Sequence, residues 1–144
     1  MTATAATAVS STPAAPSPTS RIATVCTALG AAFIIFIGAR FMVDPHGAAA
    51  GFGIAGPRGT GEGYYDIKGL RDIVSGLVPL ALLIAGQRRA LGWVMLAASV
   101  TPFGDAVIVL THGGSLATAL GIHFATALFV VLTGLLLLRE TRRA

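Results

Sequence analysis

The sequence has few charged residues and almost no cysteine, and both shortages narrow the class of protein. Charged side chains make up 11% of the 144 residues, whereas hydrophobic residues reach 54% and the mean hydropathy is +0.80. Soluble domains carry roughly 25% charged residues, and a water-soluble fold of this length has too little interior to bury so much apolar side chain. The composition therefore predicts an integral membrane protein formed from one domain.

Cys26 is the single cysteine, which excludes an intrachain disulfide and a cysteine-based metal site. The ten basic residues form no stripe interleaved with aromatic residues, and this argues against nucleic acid as a partner. His46, His112 and His123 lie on separate segments without the spacing of metal ligands. No nucleophile, base and acid share a recognisable spacing either. We therefore predict no catalytic residue, no metal ligand and no cofactor.

Four segments are predicted to cross a membrane as helices. A helix rises about 1.5 Å per residue, so crossing a hydrocarbon core of about 30 Å takes roughly 20 residues. The predicted fold class is an all-α bundle of four transmembrane helices with short loops, in a domain of residues 22–139. Residues 1–21, rich in Ala, Thr, Ser and Pro, are predicted as a disordered tail, and residues 140–144 as a short basic tail. The spans are residues 22–43, 67–86, 90–111 and 116–138.

The one long connection, residues 44–66, is predicted to begin with a short helix at the membrane interface. Asp44 has the residue type of a helix N-cap, and Pro45 follows at the first helical position. The stretch GFGIAG, residues 51–56, has the glycine spacing of a dinucleotide-binding loop. It lacks the buried strand that precedes such a loop, so we assign it no phosphate-binding role.

The distribution of charge predicts that both termini are cytoplasmic. An even number of crossings places the termini on one side, together with the turn after the second span. That side carries six arginines and one glutamate, a net charge of +5, whereas the opposite side carries four basic and four acidic residues. The positive-inside rule assigns the more basic side to the cytoplasm. The charged residues on that side are Arg21, Arg88, Arg89, Arg139, Glu140, Arg142 and Arg143.

Ionisable residues inside the spans lie at a similar depth below the outer boundary. At about 1.5 Å per residue they lie about 5 to 11 Å deep, and Lys68 shares a helix face with Arg71 and Asp72. Charged groups within a membrane usually face the bundle interior and pair. We therefore predict a polar cluster in the outer leaflet, with Arg71 or Arg40 opposite Asp105. The candidate binding residues are Arg40, Lys68, Arg71, Asp72, Asp105 and His123.

Six segments of the chain recur in order and spacing in a known family. They are GARFMVDP (38–45), IKGLRDIVSGL (67–77), RRALGWVMLA (88–97), TPFGDAVIVL (101–110), GIHFATAL (121–128) and LLLLRE (135–140). The chain thereby resembles the small bacterial integral membrane family catalogued as domain of unknown function 4267. This resemblance implies four helices in a bacterial cell membrane and no established activity. The helix plan is also similar to that of DoxX-like proteins, some of which are tied to quinone-linked redox chemistry.

Two functions from different classes are compatible with these features. The favoured hypothesis is a non-enzymatic membrane protein whose polar cluster binds a lipid headgroup, a quinone or a partner membrane protein. The alternative is a subunit or accessory of a quinone-linked membrane oxidoreductase, in which Asp105 and His123 relay protons near a quinone. A purely structural role for the cluster is a third interpretation, since ion pairs also specify helix packing and Arg40 can extend to the headgroups.

Overall fold

Helices account for all regular secondary structure in the part of the chain that the structure describes. The computed structural model describes residues 18–142 and contains no strand in that range, which confirms the all-α class. A turn of 3-10 helix, Gly59–Glu62, precedes the third helix. The five helices of the described range are α1 (Pro18–Val43), α2 (Pro45–Phe52), α3 (Gly63–Ile84), α4 (Arg88–Thr111) and α5 (Leu116–Thr141).

Three of these helices, α1, α4 and α5, are long and apolar enough to cross a membrane. Helix α3 has 22 residues, but its first turns carry Asp66, Lys68, Arg71 and Asp72 and so interrupt its apolar surface. By length and composition, three of the four predicted spans are therefore supported, and the span in α3 is not. Large apolar side chains point outward from all three, as expected of surfaces that contact lipid.

Two helix ends differ from the prediction. Helix α1 begins at Pro18, so residues 18–21 of the predicted disordered tail are helical, and the remainder of that tail lies outside the described residues. The early start has a tertiary cause, because Arg88 donates a hydrogen bond to the Ser20 carbonyl over 3.1 Å. Helix α5 continues to Thr141 and includes Glu140, which the prediction assigns to the basic tail, because the Glu140 carboxylate binds Arg88.

Helix α1 packs along α3, and α4 packs along α5, each pair through facing glycines. A Cβ atom on Gly38 would lie 2.5 Å from the Gly69 carbonyl oxygen, and one on Gly69 would lie 2.7 Å from the Gly38 carbonyl oxygen. Gly92 and Gly134 approach similarly, at 3.2 and 3.0 Å. Small residues allow helices to come this close in membrane proteins. The molecule is thus built from two helix pairs.

Helix α2 connects the two pairs at one end of the molecule. The Asp44 side chain accepts a hydrogen bond from the Gly47 N–H over 3.0 Å, and Pro45 occupies the first helical position. The predicted short helix and its N-cap are therefore confirmed, whereas its position at a membrane interface stays a prediction. It ends at Gly53, whose φ of +104° favours glycine. A side chain on Gly53 would strike Thr118 of α5, so the end of α2 lies directly against the second pair.

Helix α4 is irregular at Ser99, three residues before Pro102. Proline has no N–H to donate to the carbonyl four residues earlier, which weakens the helix at that point. The Ser99 hydroxyl donates to the Leu96 carbonyl over 2.7 Å at the same turn. The irregular turn lies about one and a half turns before Asp105.

Candidate functional site

Lys68 and Asp72 form an ion pair on the buried side of α3. Their i, i+4 spacing places both on one helix face, and the distance from Lys68 Nζ to Asp72 Oδ2 is 2.9 Å. The Asp72 side chain is 11% exposed and that of Lys68 is 32% exposed. Lys68 Nζ also lies 4.8 Å from the centre of the Phe41 ring and 4.9 Å from that of Phe52. The ammonium group is therefore held by one carboxylate and two aromatic faces.

Asp105 of α4 lies within the electrostatic range of these groups. Its charge interacts with those of Lys68, His123 and Asp72, and its side chain is partly buried. Within residues 18–142 its carboxylate has no hydrogen bond or ion pair. Asp105 thus keeps the capacity to accept several hydrogen bonds.

His123 lies in a stretch of π-helix, Ala119–Phe124, at the start of α5. Such bulges are frequent at functional sites because they turn a side chain out of the regular helical register. The buried imidazole lies 4.5 Å from the Phe52 ring, and its Nε2 lies 2.8 Å from the Phe52 carbonyl oxygen. A carbonyl only accepts, so Nε2 carries the proton. His123 thereby satisfies a carbonyl at the C-terminal end of α2.

The predicted contact between Arg71 or Arg40 and Asp105 is wrong. Arg40 pairs with Asp44 over 3.1 Å at the exposed end of α1. Arg71 is exposed and its side chain has no ion pair within residues 18–142. A rotation of about 100° separates Arg71 from the neighbouring Asp72, so burying Asp72 turns Arg71 outward. The basic residue of α3 whose charge acts on Asp105 is Lys68, which itself pairs with Asp72.

We call Lys68, Asp72, Asp105 and His123 the outer cluster, after the side of the membrane that the sequence predicts for them. It brings together four of the six predicted candidate residues, and Arg40 and Arg71 stand apart from it. Two of its contacts involve Phe41 and Phe52, which the sequence reading does not single out. The sequence gives little indication of a role for Phe52, because the glycines on both sides of it show no helical pattern of apolar residues. Within the described range no three His, Cys, Asp or Glu side chains are placed to hold a metal ion.

A second polar group, at the opposite end of the molecule, is absent from the sequence-based prediction. The Arg88 guanidinium donates to the Glu140 carboxylate over 2.9 Å, to the Thr24 hydroxyl over 3.0 Å and to the Ser20 carbonyl. Its Nε lies 2.8 Å from Glu140 Oε1, an ion-pair contact that lacks the geometry of a hydrogen bond. The two charged side chains are 22% and 17% exposed. These four residues join the start of α1 and of α4 to the end of α5, and we call them the inner clasp after the side of the membrane that the sequence predicts for them.

The fold and these clusters define an all-helical protein with three helices suited to crossing a membrane. The family model described as Domain of unknown function (DUF4267) matches residues 31–137, so the chain belongs to this family. The matched region contains the whole outer cluster and Arg88, whereas Glu140 lies beyond it. No curated protein and no solved structure matches the chain at a significant level. The similarity to DoxX-like proteins stays a prediction.

Proposed function

We propose that α3 crosses the membrane beside the three apolar helices, giving four spans with both termini in the cytoplasm of a bacterial cell. At 22 residues α3 extends about 33 Å, enough for a hydrocarbon core of about 30 Å. Its charges are confined to its first turns, at the same end as Arg40 of α1. The glycine contact with α1 holds α3 along an apolar helix over much of its length.

Within this arrangement the outer cluster binds the polar head of a small amphiphilic molecule, either a lipid or a quinone. The observation that supports this function is the Asp105 carboxylate, which has no partner within residues 18–142 although Lys68 and His123 lie near it. An uncompensated carboxylate is unfavourable in a membrane interior. A hydroxyl or amine of a headgroup would donate to Asp105, and an oxygen of the same headgroup would accept from Lys68.

Asp105→Asn tests this function because it removes the charge with almost no change in size. We expect the amount of lipid or quinone that copurifies per protein to fall about tenfold, the effect of losing a charge-assisted hydrogen bond worth roughly 1.5 kcal/mol. Mass spectrometry of extracts from the purified protein measures this ratio. Arg71→Gln is the control. Arg71 is a charged residue of α3 next to Asp72, but its side chain is exposed and lies outside the outer cluster.

A folded Asp105→Asn protein that retains its full complement of bound amphiphile would refute the proposed function. An equal loss in Arg71→Gln would also refute it, because the binding would then not depend specifically on the residues of the outer cluster. The identity of the bound molecule separates the two classes of role. A bound quinone that the purified protein reduces or oxidises favours an oxidoreductase accessory, whereas a phospholipid favours a binding protein.

A further inference from the structure

A shallow cavity of about 330 Å³, open to the surroundings, lies beside the inner clasp, at the end of the molecule where α4 begins and α5 ends. It is separate from the outer cluster, which lies at the other end of these helices. Gly86, with φ of +68°, forms the turn that brings the chain back toward α5. The residues that line the cavity are Gly86, Gln87, Arg88, Arg89, Glu140 and Thr141.

Among the described residues that line this cavity, one cation has no counterion. Arg88 and Glu140 neutralise one another through the contacts of the inner clasp. Arg89 is exposed, and its side chain forms no hydrogen bond or ion pair within residues 18–142. The cavity therefore carries a net positive charge at the Arg89 guanidinium, a group whose planar fork of donors matches the oxygens of a phosphate.

The surroundings of the cavity are those of a membrane boundary. Trp93 follows Arg89 by four residues, so both project from one face of α4, and its side chain is 56% exposed. Ile84, next to the turn, is 87% exposed. Tryptophan is enriched at the level of the lipid headgroups, and outward apolar residues beside the cavity suit an acyl chain. A soluble anion would use the guanidinium but not these apolar neighbours.

We propose that this cavity binds the phosphate of an anionic phospholipid, with Arg89 as the recognising group and Trp93 against the glycerol and acyl region. Arg89 attracts the negative charge, and an anionic lipid brings no second cation to oppose it. A zwitterionic headgroup carries such a cation, so it binds less tightly. The site rests on the proposed membrane arrangement but not on the amphiphile proposed for the outer cluster, because the two sites share no residue.

Trp93 is the single tryptophan of the chain and reports directly on this site. The full-length protein is placed in phosphatidylcholine vesicles, and part of the lipid is replaced by brominated phosphatidylglycerol or by brominated phosphatidylcholine. Bromine quenches tryptophan fluorescence only at close range. We expect the brominated anionic lipid to bind beside Trp93 about fivefold more tightly than the zwitterionic one, the ratio given by roughly 1 kcal/mol per basic residue near a charged membrane surface.

Arg89→Gln should reduce this ratio to about 1. Arg139→Gln is the control, since it removes the same charge from an exposed residue at the same end of the molecule that does not line the cavity. It should leave the ratio above about 3 if the site is local. Equal losses in the two variants, or a wild-type ratio of 1, would overturn the proposal. Relief of the quenching by inorganic phosphate, at a concentration where chloride of equal ionic strength has no effect, would overturn the lipid as the ligand.

Discussion

The inner clasp and the outer cluster contain similar charged residues but differ in how completely these are paired. In the inner clasp, Arg88 donates to three different residues, and Glu140 is held by the same guanidinium. In the outer cluster, Lys68 is shared between Asp72 and two aromatic rings, while Asp105 has no partner within residues 18–142. The difference indicates that the inner clasp joins helices, whereas the outer cluster retains unused hydrogen-bonding capacity. Burial of charge is common to both and so does not by itself identify a binding site.

Among the variants that test this comparison, Arg88→Met is expected to lower the stability of the protein most. Loss of one partner of a buried ion pair costs about 3–5 kcal/mol, and the partial exposure of Arg88 and Glu140 reduces this to roughly 2–3 kcal/mol. We expect the protein to unfold at lower temperature. Because Cys26 is the single cysteine and is partly buried, its reaction with a thiol-reactive fluorophore during heating measures the transition.

Arg139→Met is the control for this experiment, since Arg139 is exposed at the same end of the molecule. It should shift the transition little. The double variant Arg88→Met with Glu140→Leu should recover part of the lost stability, because no unpaired carboxylate remains. A single variant as stable as the wild type would show that the inner clasp does not hold the helices together.

A smaller loss of stability is expected from His123→Ala, at the end of the molecule that carries the outer cluster. The substitution removes the donor to the Phe52 carbonyl, and a buried unsatisfied carbonyl costs about 1–2 kcal/mol. We expect faster hydrogen exchange in α2, whose C-terminal end loses its attachment to α5. His112→Ala serves as the control because His112 is exposed and contacts only its own helix. Unchanged exchange in α2 would mean that the π-helical segment does not anchor it.

The smallest effect on stability is expected at Asp44, because its side chain is exposed. The hydrogen bond from the Gly47 N–H, and then that from Arg40, lower the pKa of Asp44 below its ordinary value of 3.8. Its capping contribution is therefore complete above that value and is lost as the pH falls through the lowered pKa. The Gly47 amide resonance should titrate with a midpoint below 3.8. In Asp44→Ala this titration should disappear, and a midpoint above 3.8 in the wild type would contradict the cap.

The sequence predicts the helical class and the cap of α2 because both depend on local features, namely apolar length and the pair Asp44 and Pro45. It also predicts that polar groups share one layer of the membrane, which stays a prediction. It does not predict the partners within that layer, because the choice between Lys68 and Arg71 depends on which face of α3 meets Gly38. The inner clasp is missed for a similar reason, since Arg88 and Glu140 are 52 residues apart.

The two glycine contacts have a consequence for how the chain is made. Gly38 and Gly69 belong to successive long helices, and so do Gly92 and Gly134. Each pair is therefore available for docking as soon as the ribosome has completed its second helix, and the first hairpin can close while the second is still being synthesised. What remains after translation is to bring two finished hairpins together, at α2 on one side and at Arg88 on the other.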